Sequence, residues 1–241
     1  EDNGAASSGT FADAPTFNLK LQAHLAGEQL TRNLQPLVDL IKEETEGTVN
    51  IELFSGGVLM PVPEMLNGLS TGTLDMALLP EGIFSGVIPV TEVGAGLPYG
   101  YNSLNEAWLF MWQRGFVDIL REEYAKQNVY VIPFEVYQAG MMTQDPVTSI
   151  EDMKGKKIRG TATFAKWVDA VGGSSVNIQG SEVYTAVSTG VVSGSTWGEA
   201  GPMYEMKFQE IMDNYMKPEP VVGFWNNIYI NQDVWNQFTP A

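Results

Sequence analysis

Apolar and polar residues alternate at Phe17, Leu19, Leu21 and Ala23, which predicts a strand over 16–24 with one buried face. The spacing then changes, since Leu30, Leu34, Leu37, Val38 and Ile41 recur at three and four residues and Gly47 follows the last turn of the implied helix. Val49, Ile51 and Leu53 alternate again. Pro61 and Pro63 open a helix through Met65, Leu66 and Leu69 that closes at Gly72, and 74–79 is the continuous apolar run of a strand covered on both faces. The first half therefore reads βαβαβ.

A glycine-rich stretch, 80–102, delivers Glu81, Phe84 and Tyr99 near strand ends. Trp108, Met111, Trp112, Phe116, Ile119, Leu120 and Tyr124 lie on one broad face and predict a single long helix over 103–127, with a strand over 129–136 as a segment passing between lobes. From 146 the earlier order returns. It runs strand 156–159, a helix on Phe164, Trp167, Val168 and Val171, strand 175–178, a helix on Val183, Tyr184 and Val187, and strand 191–197. Ser-Thr-Gly ends a helix at 70–72 and again at 188–190, with a strand just beyond each time. Tyr204, Phe208, Ile211 and Met212 predict a further helix over 203–215, before a break at Pro218 and Pro220, a strand over 221–230 and a short turn at Trp235. The expectation is an α/β chain of two Rossmann-like βαβ lobes with a central ligand cleft, since open α/β sheets bind ligands beyond their strands' carboxyl ends. Its expected bounds are a flexible leader over 1–15, a first lobe over 16–135 rejoined by 222–241, and a second lobe over 136–221.

Composition narrows the function. The chain has 241 residues, 44% of them hydrophobic, enough for one large domain or two lobes, and no run approaches the ~20 apolar residues that cross a bilayer. With no cysteine it has no disulfide framework, thiolate nucleophile or cysteine metal site, which suits an oxidising compartment. Thirteen basic against 29 acidic residues give a net charge of −16, which argues against nucleic acid as a partner. The same charge repels small anions, so capturing one needs a local cation withdrawn from water.

Arg159 fits that need. It ends a strand, with Gly160, Thr161, Ala162 and Thr163 beyond it, and a guanidinium there can pair bidentately with a carboxylate. Trp197 ends the next parallel strand of the same lobe. Tyr137 and Gln138 follow the crossing strand, Trp225 and Asn226 lie on the last strand, and Phe84, Phe164 and Glu81 stand near strand ends as further candidates. Catalysis finds little support. His24 is the only histidine, and Gly194-Ser195-Thr196-Trp197-Gly198 has the spacing of a nucleophile elbow but no second histidine to act as base. An organic-acid lyase or isomerase using Glu81, Glu182 or His24 is the alternative from another class, and a ligand-binding sensory domain is a third.

The segments IEDMKGKKIRG, GSEVYTAVSTGVVSGSTW, YEMKFQEIMDNY and INQDVW, in that order, resemble the solute-binding proteins of tripartite ATP-independent periplasmic (TRAP) transporters, where an LKGxKIR strand and an EVYxALxTGVxDG helix and strand recur. The resemblance implies a periplasmic binding protein-like receptor, not an enzyme, that takes a small carboxylate-bearing solute to an ion-driven membrane permease without any cofactor. It implies a periplasmic or extracytoplasmic location, and the small, polar, aperiodic residues 1–15 suit the spacer of a lipid-anchored protein. Arg159 matches the arginine that grips the ligand carboxylate, Trp197 the aromatic of the 2-oxo-acid branch, and Gln138 falls near a glutamine lining that site. Part of that branch holds a cation with a Glu before the tryptophan. Thr196 stands here instead, so no metal is expected, although Glu199 lies close by in sequence. The resembling proteins continue past the tryptophan turn, so the C-terminal part is expected to be truncated.

Overall fold

The computed structural model describes residues 14–25, 27–178 and 180–238. Most of the expected leader thus lies outside the described residues. β1 (Phe17–Ala23) buries Leu19, Leu21 and Ala23, as its alternation requires. α1 (Gly27–Glu44) buries Leu30, Leu34 and Val38, each four residues from the last and therefore on one face. Gly47, at φ 79°, then turns the chain into β2 (Val49–Phe54). α2 (Met65–Thr71) and β3 (Met76–Pro80) follow.

The next stretch departs from the expected single helix. A short α3 (Thr91–Gly94) precedes two separate helices, α4 (Leu104–Gln113) and α5 (Phe116–Ala125). Gly115 breaks them with a φ of 81°, a left-handed conformation that glycine adopts without strain. β4 (Val129–Thr143) is longer than expected and extends through 137–143. After it come β5 (Lys157–Arg159), α6 (Ala162–Ala170), β6 (Ser174–Val176), α7 (Val183–Ser188) and β7 (Gly194–Trp197). The helix expected over 203–215 is a second correction. α8 (Ala200–Glu205) stops as Lys207 turns left-handed at φ 60°, a single 3₁₀ turn over Phe208–Glu210 follows, and 214–215 form β8 (Asn214–Tyr215). β9 (Val221–Asn231) and α9 (Gln232–Trp235) end the described chain.

The two Ser-Thr-Gly exits share one geometry. Gly72 and Gly190 both sit at φ 73°, and in each the glycine N–H returns to a carbonyl three residues back, Leu69 or Val187.

The chain divides into two compact units, 1–79 with 124–132 and 228–241, and 80–123 with 133–227. The boundary expected from the sequence keeps 80–123 with the first unit, whereas by packing they group with the second. In the first unit β1 pairs in parallel with β2 and β3. There Tyr130 stacks on Trp235 at 4.0 Å between centroids, and Asn231 donates its amide to the Leu69 carbonyl, so α9 and the end of β9 pack onto this unit. His24 sets its ring nitrogen against the Leu78 carbonyl at 3.2 Å, and burial holds its pKa below the ordinary 6.5. The unfolded chain therefore takes up a proton at His24 before the folded one does. Stability is expected to be full above pH 6.5 and to decline as pH falls toward the lowered folded value, and His24→Asn should flatten that part of a denaturation-midpoint profile.

In the second unit β5 lies between β6 and β7 in parallel, β4 runs antiparallel to β7, and β8 pairs with β4. Alternation along these strands builds two cores. Met141 and Ile158 pack with Phe164 and Val168 on one face, and Met142 packs with Val183, Val187, Met203 and Phe208 on the other.

Candidate ligand-binding site

Register brings the two main candidates together. Arg159 is opposite Ser195 in the parallel ladder of β5 and β7, and Trp197 comes two residues later, so both side chains leave the same face at the strands' carboxyl ends. The guanidinium carbon lies 4.8 Å from the indole centroid, within cation–π range. Gly140 of β4 is the antiparallel partner of Trp197.

Arg159 is 9% exposed. Its Nε donates to the Ile178 carbonyl at 3.1 Å and its Nη1 to the Thr196 carbonyl at 3.0 Å. Among the described residues no acidic side chain pairs with it. Burial lowers its pKa to about 10, which still leaves it charged at neutral pH. The result is a desolvated cation fixed by two backbone carbonyls, with further N–H groups available to an anion.

The indole is held just as closely. It meets the Phe208 ring edge-on at 5.7 Å, and a Cβ at Gly180 would come within 2.6 Å of its Cη2, so only glycine lets the chain pass there without moving the ring. Ile178 and Gly180 belong to the same link between β6 and α7, and that link therefore touches both arginine and tryptophan. Thr196 faces the other way and donates its hydroxyl to the Arg159 carbonyl at 3.1 Å, a bond that ties β5 to β7.

The remaining candidates fall into separate groups. Glu199 accepts from the Gln138 backbone N–H at 3.2 Å, and the Gly140 N–H donates to the Gly198 carbonyl at 3.1 Å, so this end of β4 lies alongside the residues just after Trp197. Tyr137 donates its hydroxyl to Asn226 Oδ1 at 3.4 Å, and the Asn226 amide donates to Glu135 at 2.8 Å. Burial pushes the Tyr137 phenol up, and the charges of Glu135 and Glu199 push it further. Glu81 is buried and accepts from the Asn227 amide, while its own backbone N–H donates to the Trp225 carbonyl at 2.8 Å. Phe84 and Trp225 are buried, and Phe164 sits in the core against Ile158 and Val168.

Sequence reasoning missed Tyr215 and Glu135. The Tyr215 hydroxyl fills the space above Gly140, where a Cβ would lie 2.5 Å from it, and donates to Glu219 at 3.1 Å. Burial raises its pKa, followed by the charge of Glu219, its hydrogen bond to Glu219 and the charge of Glu199. A tyrosine before a proline-rich break carries no visible signal of this, but glycine at 140 in an otherwise large-residue strand is one.

Known proteins resemble this chain in sequence and in fold. The chain is 26% identical over 210 residues to the monocarboxylate 2-oxoacid-binding periplasmic protein of a Nostoc species, covering 82% of this chain and 55% of that one. It therefore spans little more than half of that relative. A TRAP periplasmic solute-binding protein from Ochrobactrum anthropi superposes with a TM-score of 0.80 at 24% identity, covering 93% of this chain and 71% of the other. A TRAP transporter solute-binding protein from Bordetella bronchiseptica, solved with calcium and picolinate, gives 0.83 at 19% identity, covering 94% and 68%. Both share their α/β fold with this chain. The family model for bacterial extracellular solute-binding protein, family 7, matches residues 23–241, and the chain belongs to that family.

Proposed function

We propose that the chain captures a small organic acid outside the cytoplasm and delivers it to a TRAP-type membrane permease, with Arg159 gripping a carboxylate and Trp197 covering the same guanidinium. The observation that carries this reading is a buried arginine with no acidic partner among the described residues. A desolvated charge without a counter-charge is costly, and a ligand carboxylate on its remaining N–H groups would offset that cost while forming a two-pronged bond. The names of the relatives support the same chemistry, since one is called a 2-oxoacid-binding protein and another was solved with picolinate.

In this reading Gln138, Tyr137, Asn226 and Glu199 contact the rest of the solute, whereas Glu81, Phe84, Phe164 and Trp225 shape the walls from within the core. The solute leaves unaltered, because the family is one of binding proteins and His24 is engaged at the Leu78 carbonyl in the first unit. The protein works in the periplasm or its equivalent, and residues 1–15 serve as the spacer to a lipid anchor. No helix among the described residues is long and apolar enough to cross a membrane.

A thermal-shift screen of monocarboxylates, dicarboxylates, 2-oxo acids, aromatic acids and sulfonates tests the proposal. A true solute at one hundred times its dissociation constant is expected to add about 2.7 kcal/mol of stability. Recovery of that solute unchanged after long incubation separates binding from turnover. The absence of a shift with every anion would overturn the reading.

A further inference from the structure

Charge is separated at the end of β7. On one side is Arg159, nine-tenths buried and without an acid among the described residues. Three residues past the carbonyl that holds it comes Glu199, whose carboxylate accepts the Gln138 backbone N–H at 3.2 Å. Glu199 also raises the pKa of both the Tyr137 and Tyr215 phenols, which puts its charge near each. Glu135 adds a second negative charge beside Tyr137 and is engaged by the neutral amide of Asn226. Lys217 does not neutralise these acids, because its ammonium is paired with Glu219. Among the described residues neither Glu135 nor Glu199 has a basic side chain at ion-pair distance.

Resting on the proposed carboxylate site, we infer that the preferred solute carries an ammonium or other cationic nitrogen together with its carboxylate, and that Glu199 is the residue selecting it. A zwitterion places its carboxylate on Arg159 and its cation toward Glu199 and Glu135, so each charged group in the site gains an opposite. A dicarboxylate of the same length brings its second negative charge against two acids and is disfavoured by repulsion as well as by lost attraction. A hydroxy acid donates one hydrogen bond to Glu199 without balancing its charge and falls between the two. The overall charge of −16 acts in the same direction, since it repels a dianion more than a molecule with no net charge.

The test uses the whole chain and two ladders of probes. One holds alanine, 3-aminopropanoate, 4-aminobutanoate and proline, and the other malonate, succinate, glutarate and pyruvate, all measured by calorimetry with chelator present and again with calcium or sodium added. The expected result is that the tightest amino acid binds at least about tenfold more strongly than any dicarboxylate. Glu199→Gln should remove most of that preference while still binding a carboxylate, and Arg159→Ala should lose every probe. Stronger binding of a dicarboxylate, an equal response from both ladders, no response from the amino acids, or pyruvate binding that requires added metal would overturn the inference. Those outcomes leave the carboxylate site standing if Arg159→Ala still abolishes binding. Unchanged binding in Arg159→Ala would overturn the site itself.

Discussion

Arg159→Ala is expected to weaken binding of the best organic acid by roughly 2–5 kcal/mol, about thirtyfold to several thousandfold, as measured by isothermal calorimetry. The loss is large because the guanidinium sits out of water, where its attraction for a carboxylate is little screened. Folding should respond much less. Removing the charge relieves a desolvation cost, whereas leaving the Ile178 and Thr196 carbonyls without their donors adds one, and the two effects oppose. Arg159→Lys is expected to recover only part of the affinity, since an ammonium cannot serve two carbonyls and both oxygens of a carboxylate from one plane. Binding by the unmodified protein should hold across neutral pH and weaken as pH rises through about 10, where the unliganded arginine is half deprotonated. Unchanged affinity in Arg159→Ala, with the fold intact, would remove the arginine from the site.

Phe208→Ala is expected to be the most destabilising of the simple core truncations near the site, at about 3–5 kcal/mol in chemical denaturation. Phe208 is fully buried among Met142, Val187, Met203 and Met212, and its ring supports the edge of Trp197. Its removal leaves a cavity beneath the indole, so the near-ultraviolet circular dichroism of tryptophan should change along with stability. Phe208→Leu keeps most of the volume and should cost about 1.5 kcal/mol or less. A destabilisation by Phe208→Ala no larger than that of Phe208→Leu would show that the cluster is not tightly packed.

The elements that carry the site were mostly legible in the sequence because they are short, regular and ended by glycine. The β5–α6–β6–α7–β7 order came from periodicity, and Arg159 and Trp197 stood out as strand-end residues of a kind that open sheets use. What escaped notice had physical reasons. Apolar positions continue without interruption from Trp108 to Tyr124, and only the left-handed Gly115 reveals two helices in place of one. The pattern from Tyr204 to Met212 suits a helix, but Met203, Phe208 and Met212 meet their core by way of a 3₁₀ turn and a left-handed Lys207. The extension of β4 was hidden because Gly140 has no side chain to show its face. The acceptors that hold Arg159 are backbone carbonyls, which every residue has, so no residue type could announce them. Phe164 packs within the core, a depth of burial that its place beyond a strand end does not reveal.

The two carbonyls on Arg159 bear on the cost of ordering. A free arginine side chain gives up roughly 2 kcal/mol of rotamer entropy when it is immobilised. Here Ile178 and Thr196 take that freedom during folding, before any solute arrives. A solute of only a few atoms would have little contact area with which to offset such a loss, so an arginine already at rest lowers the cost of binding a small ligand.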